Sequence, residues 1–300
     1  MHSRILIITT AEHPCSHYLL ANLIPSGAEF CLVNQRHTNY ETLSWLYLWR
    51  LFKRRGLLPF GDNLLLKISG KYRFRMMFGH VPPVDGSYVK PVEQTWEVFT
   101  TVFKDLYNSV SRITVDNVNS KDSVDLMRKF HPDLILLSGA PIISKAIIGI
   151  PRYGVLNPHY GITPRYAGNN PTYWPLFENR IFDIGYTIHQ VVPQVDSGPI
   201  VEQVRLPWRT DWSWSTLGSY LGEIMYERLC TISLEWILNG PSPTRSQVVN
   251  CTKPPAGYFV RVLAERRKAQ LYQKGIRSVV PPEWGGNFQS KTDFSKLSVV

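Results

Sequence analysis

Short apolar, β-branched runs alternate with helical patterns through the first half of this chain, and that order restricts the fold more than any other feature of the sequence. Residues 4–9 and 28–33 read as strands, with a helix over 16–23 between them, which makes a βαβ opening. Trp96, Phe99, Val102, Phe103 and Leu106 fall at helical spacing over 95–107, forming one apolar stripe. A strand over 112–115 follows. Ser120 is a good N-cap for a helix through Phe130, with Asp122 and Asp125 near its positive end, and 134–137 reads as a buried strand. Strand, helix, strand order with short connections predicts an α/β fold: a Rossmann-like, mostly parallel sheet with helices on both faces. Ligands of such sheets bind at the carboxyl ends of the strands.

Further along, Pro171 suits a helix start, and 185–191 and 200–206 are the next strands, joined by a loop over 193–199. A long helix is expected over 215–238, closed by Gly240 and carrying Leu217, Leu221, Ile224, Ile232 and Trp236. After Pro241 the composition turns to Pro, Gly, Lys and Arg. Pro254-Pro255, Pro281-Pro282 and Gly285-Gly286 are read as breaking any long element. The expected division is a main domain over 1–240, with an insertion at 43–77, and a short C-terminal appendage or tail over 241–300.

A chain of 300 residues with 44% apolar content can bury a sizeable core. Cys15, Cys31, Cys230 and Cys251 show no C-x-x-C or Cys/His ligand spacing, so neither a disulfide framework nor a metal site is indicated. The first apolar run is too brief for a secretion signal, and no apolar window approaches the length of a membrane span. A soluble protein of the cytoplasm is expected. The net charge of +10 is unevenly placed. Between Arg50 and Arg75 there are eight Lys/Arg against one acid, Asp62, and between Arg261 and Val300 eight against three. Such segments attract phosphate-bearing ligands, nucleic acid or anionic lipid, although a solvated basic face accounts for them equally well.

The chemistry-bearing stretch is Gly154-Val-Leu-Asn157-Pro-His159-Tyr-Gly-Ile-Thr-Pro164-Arg-Tyr-Ala-Gly168, answered by Val195-Asp196-Ser197-Gly198. It brings an amide, an imidazole and a carboxylate to the ends of short apolar segments. The Asn157 amide can hold a developing oxyanion, His159 can shuttle a proton near neutral pH, and Asp196 can orient and charge that imidazole. Acyl transfer to an amine needs those three roles. Taken singly, Asn-Pro-His is an ordinary polar turn and so is Asp-Ser-Gly. His189 has a strand-alternation explanation and is read as structural, and solvent exposure explains His13 and His17 as well as ligand contact does.

In order and spacing, Asn157, His159, Pro164, Gly168, Asp196 and Gly198 resemble the catalytic segment of the N10-formyltetrahydrofolate-dependent formyltransferases. The chain departs at Gly161-Ile162-Thr163, where that family more often has Ser-Leu-Leu. The resemblance runs from about 112 to 206 and is weaker over 1–34. It implies an N-formyltransferase in which Asn157 and protonated His159 hold the oxyanion, while Asp196 raises the His159 pKa and orders a water that relays the amine proton. It also implies that Ser138, Gly139, Ala140, Pro141, Ile142, Ile143 and Val195 hold N10-formyltetrahydrofolate, the formyl donor.

The acceptor is narrowed by departures from the family. Glycinamide ribonucleotide enzymes carry a Gly-rich phosphate loop after the first strand, and residues 9–17 contain no glycine. The tRNA enzymes continue into a C-terminal barrel, for which the Pro-rich residues after Gly240 look too few, so nucleic acid is not the expected partner. Deformylases begin with an additional regulatory domain, whereas the first strand here starts at Arg4. The expected acceptor is a small, phosphate-bearing amine, most plausibly an amino sugar linked to a nucleotide. A folate-using hydrolase, a methionyl-tRNA-type enzyme and a non-catalytic membrane- or RNA-associated relative stay open. A homodimer is expected. Trp45 to Phe52 precede Lys53-Arg54-Arg55, and the insertion is read as covering the core or acceptor pocket in preference to peripheral membrane contact through 43–77.

Overall fold

The computed structural model describes residues 3–11, 13–36, 110–250 and 252–284. The helix expected over 95–107, the insertion at 43–77 and the last part of the tail lie outside the described residues. Seven strands form the main sheet: β1 (Arg4–Thr10), β2 (Glu29–Gln35), β3 (Ser111–Val115), β4 (Leu134–Ser138), β5 (Val155–His159), β6 (Gly185–Gln190) and β7 (Ile200–Arg205). Their order is β3-β2-β1-β4-β5-β6-β7. The first five strands run parallel, and β6 and β7 are antiparallel. This is the Rossmann-like α/β architecture the sequence predicts.

Helices α1 (Pro14–Leu23), α2 (Lys121–Phe130), α3 (Lys145–Ile148), α4 (Tyr173–Phe177), α5 (Trp214–Asn239) and α6 (Tyr258–Gln273) complete the described elements with a small β8–β9 pair (Trp208–Arg209, Ser278–Val279). Strand alternation explains why two cores form. Ile5, Ile7, Leu32, Leu134 and Leu136 face one side, where Leu19 and Leu20 of α1 and Leu221, Met225 and Leu229 of α5 cover them. Leu6, Ile8, Val33, Ile135 and Leu137 face the other side, against Val124 and Met127 of α2 and Ile147 of α3. Each such side chain, buried completely, contributes about 1.5–3 kcal/mol. Ser120 caps α2 as its sequence promises, accepting from the Ser123 amide, and Ser213 does the same for α5 through Thr216.

β5 is the seam that positions the site. It pairs in parallel with β4 only at Val155 and Leu156, and antiparallel with β6 from Leu156 to His159. Pro158 has no N–H to give to a ladder, so β5 is bound on one side only where it carries Asn157 and His159. The far half of the strand is thereby open toward the end of β4.

The residues after Gly240 differ from the expectation of short, broken segments. α6 is a 16-residue helix. No Pro or Gly falls between Gly257 and Gly275, so this window satisfies helix chemistry although the composition around it does not. The segment also returns onto the main body: Arg245 bridges to Ile200 of β7, Lys253 bridges to Gly168, and β9 pairs with β8 in a separate two-stranded sheet.

Candidate active site

Asn157 and His159 lie two residues apart on β5 and so share one face of the sheet. The β5–β6 register sets His189 opposite Asn157 and Thr187 opposite His159, and paired residues project to the same side. Asp196 reaches the same place from the loop between β6 and β7. Its backbone is left-handed, with φ at 50°. Two glycines hold that loop. A Cβ on Gly198 would lie 1.7 Å from the Gln190 carbonyl oxygen, so only glycine lets the loop close on β6. Gly168 has φ at 97° with the Lys253 carbonyl 2.5 Å from where a Cβ would stand, and its amide donates to Asp196 Oδ2 at 2.8 Å.

The three residues named from the sequence therefore converge, together with His189, which strand alternation had made a structural residue. Asp196 Oδ2 is 3.6 Å from His159 Nδ1, and Asp196 Oδ1 is 3.5 Å from His189 Nε2. The Asn157 side-chain nitrogen is 3.1 Å from His189 Nε2. His159 Nε2 donates to the Tyr166 carbonyl at 2.7 Å, and His189 Nδ1 donates to the Gln190 carbonyl at 2.8 Å. Carbonyls only accept, so these two contacts assign a hydrogen to each of those nitrogens. In the neutral rings the remaining nitrogens, His159 Nδ1 and His189 Nε2, carry lone pairs turned toward Asp196 and Asn157. The cluster is arranged to receive one further proton beside a carboxylate.

Burial decides the resting charge. His159 is 8% exposed, and desolvation pushes its pKa below the ordinary imidazole value, outweighing the Asp196 charge and the Tyr166 carbonyl, which raise it. Asp196 raises the His159 pKa as expected, but burial outweighs it, so the protonated His159 that the resemblance implies is disfavoured. Burial also works against charge on Asp196. The His189 ring 3.5 Å away, the His159 ring and the Gly168 amide outweigh it and hold the carboxyl below the usual range. A neutral imidazole beside an ionised carboxylate is a proton acceptor at neutral pH.

The segment named for the formyl donor divides in two. Ser138 ends β4 fully buried, with its Oγ 3.5 Å from the Tyr226 hydroxyl, and Ile143 packs into the second core. Between them Gly139 is exposed, Ala140 and Pro141 are half-buried, and Ile142 is 73% exposed. The Ile142 carbonyl already accepts from Asn119, whose Oδ1 takes the Ser144 amide, so Asn119 brackets the far end of this loop. The ring of His13 packs against Gly139, where a Cβ would be 2.8 Å from Cδ2. Val195 is exposed next to Asp196. The open stretch is accordingly Gly139 to Ile142, a run of backbone with one apolar side chain on its surface. Among the described residues no group of His, Cys, Asp and Glu is placed to hold a metal ion, and no helix is long and apolar enough to cross a membrane.

The family model described as formyl transferase matches residues 98–226. A methionyl-tRNA formyltransferase from Methylacidiphilum infernorum is 30% identical over 166 residues, 54% of this chain and 51% of that protein. The chain spans about half of that relative's length, and less of several others. A glycinamide ribonucleotide transformylase 1 from Symbiobacterium toebii shares the fold with a TM-score of 0.51 at 13% identity, over 83% of this chain and 95% of that one. A sugar N-formyltransferase from Shewanella sp FDAARGOS_354 does so with a TM-score of 0.50 at 12% identity, over 89% and 87%.

Proposed function

From the membership of residues 98–226 in the formyl transferase family, we propose that this protein moves a formyl group from N10-formyltetrahydrofolate to a primary amine, most plausibly on a nucleotide-linked amino sugar. The observation that carries the reading is the cluster of Asn157, His159, His189 and Asp196 at the open end of β5, inside the matched segment.

The donor supplies an activated formyl carbon whose oxygen gains negative charge on attack by the amine. Asn157 has a second amide hydrogen beyond the one given to His189, and it is suited to that oxygen. His159, held neutral by burial, accepts the amine proton at Nδ1 and becomes a cation 3.6 Å from Asp196, whose charge then stabilises it; the proton then passes to the departing nitrogen of the donor as that nitrogen's bond to the formyl carbon breaks. His189 packs beside Asp196 and keeps Asn157 oriented. The exposed backbone from Gly139 to Ile142 fits the polar edge and apolar face of a pterin.

The relatives act on different amines by name, so the acceptor rests on this chain's own residues. At α1, Pro14 lacks an N–H, and the Cys15 and Ser16 amides are both taken by His13. The helix end that would cradle a ribonucleotide phosphate is therefore occupied by the protein itself, which supports an acceptor whose anionic group docks elsewhere. A transfer RNA acceptor is the second reading, favoured by the name of the methionyl-tRNA relative and by the net charge of +10. The deciding assay incubates the protein with N10-formyltetrahydrofolate and, in parallel, a panel of amino-sugar nucleotides and methionyl-tRNA, reading each acceptor by mass for one added formyl group. Free formate released with no acceptor present, and no formylated product, would replace transfer by hydrolysis.

A further inference from the structure

Beside the β7 edge lies a cavity of about 390 Å³ whose walls include Arg165, Arg180, Arg205 and Arg245, with Asp183 the one acidic side chain among them. Asp183 is shared by Arg180 and Arg205, Arg205 also meets Glu283 at 3.8 Å, and Arg165 is paired with Glu178. Among the described residues no carboxylate pairs with Arg245, whose Nη2 donates to the neutral Gln203 Oε1 at 3.0 Å. The cavity therefore presents excess guanidinium charge in planar forks, the geometry that matches phosphate and carboxylate oxygens.

An independent observation concerns unmet hydrogen bonds. Thr163 and Gln247 both line the cavity, and Thr163 Oγ1 and Gln247 Oε1 are buried with no partner. Thr163 is 1% exposed. Buried polar atoms of this kind are costly to leave unpaired. Both residues belong to the cavity wall, so an oxyanion with a neighbouring hydroxyl or N–H that draws their side chains inward would supply the missing partners.

Place completes the argument. The ladders put His159 opposite Thr187 and Thr187 opposite Gln203, so Gln203 shares the sheet face of His159 at two strand spacings, roughly 10 Å, with Arg205 on that face two residues further along. Gln247 Nε2 donates from the cavity wall to the carbonyls of Asp196 and Gly198, at 3.2 and 2.7 Å. We propose that this cavity is an anion subsite that takes the phosphate or diphosphate of the amine acceptor; only the identity of the acceptor's other half rests on the formyl-transfer reading.

The test is calorimetric titration of the whole chain at low salt with inorganic pyrophosphate, uridine diphosphate and a γ-linked triglutamate, the last standing for the carboxylates of a folate tail. Saturable binding of pyrophosphate and uridine diphosphate is expected. Arg245→Ala should weaken it about tenfold or more, since it removes a charge-assisted contact without stranding a carboxylate. Thr163→Val should weaken it by about threefold to tenfold while the melting temperature holds or rises, because the unpaired hydroxyl is gone. No saturable binding of either phosphate probe, binding unchanged in both variants, or binding of triglutamate alone would overturn the proposal. These titrations need no turnover, so intact binding without formyl transfer would sink the proposed function and leave the subsite standing.

Discussion

Asn157 and His189 meet across the antiparallel ladder of β5 and β6, with the Asn157 amide nitrogen 3.1 Å from His189 Nε2. Since His189 Nδ1 is committed as a donor to the Gln190 carbonyl, the neutral ring can only accept from Asn157. Protonation of His189 would turn that acceptor into a donor and force the Asn157 amide to turn over. The orientation of the Asn157 amide is thus tied to the charge of the ring across the ladder.

Replacing the cluster one residue at a time should remove transfer without unfolding the chain. His159→Ala and Asp196→Ala are each expected to lower kcat/KM by roughly 10² to 10⁴, and Asn157→Ala by roughly 10² to 10³. Circular dichroism would confirm the fold, and near-normal rates in either His159→Ala or Asp196→Ala would remove the mechanism.

The charge on Asp196 raises the His159 pKa even though burial wins overall. Asp196→Asn should therefore move the His159 midpoint further down from its already depressed position. Proton NMR of the His159 ring across pH 4–8 reads this directly, and a rise in the variant would contradict the assigned balance.

Acid should destabilise the native chain in two stages. His159 has a folded pKa below its unfolded value of about 6.5, so the unfolded chain binds more protons and stability falls as pH drops below that value. Asp196 has a folded pKa below its unfolded value of about 3.9, so its contribution is present above that value and lost as pH falls through the folded one. Urea midpoints between pH 7.5 and 4.5 should decline in the wild type and decline less in His159→Phe; equal slopes would rule out a buried neutral His159.

Two glycine substitutions should act in opposite directions. Gly198→Ala must push the Asp196 loop off Gln190, an overpacking that costs about 1–3 kcal/mol, and it should depress activity as well. Gly218 sits inside α5 with open space where a Cβ would go, so Gly218→Ala should stabilise by about 0.5–1 kcal/mol. Thermal melts of the two proteins settle the comparison.

Buried thiols should be inert in the native protein. Burial pushes Cys15 up to about 12, against the lowering hydrogen bonds of Tyr226 and Tyr160, and pushes Cys31 up to about 11. Ellman's reagent at pH 7.5 should leave both unmodified until denaturant is added; fast labelling mapped to either would show that α1 or β2 opens readily.

The sequence made the parallel half of the sheet legible because β-branched runs separated by capped helices admit few other arrangements. Direction was not legible for β6 and β7, since a period of two looks the same in either orientation. That is why His189 was read as a structural strand residue: its place opposite Asn157 exists only in the antiparallel register. Asn157, His159 and Asp196 could be picked out by spacing, but the sign of the His159 shift could not, because it depends on how completely the loop through Tyr166 covers the ring. α6 was hidden by averaging, as prolines on either side concealed a window free of them. Gln247 and the arginines of the cavity are far apart in the chain, and no spacing rule links them.

The seam at β5 has a consequence for how the protein could be taken apart. All four groups of the cluster lie within forty residues of chain, from Asn157 to Asp196, on two adjacent strands and one loop. The surfaces proposed to meet ligands come from remote stretches around His13, Gly139 and Arg245. The cluster is a contiguous cassette, and on the proposed reading a change of acceptor is a matter of exchanging the distant borders while leaving the cassette whole.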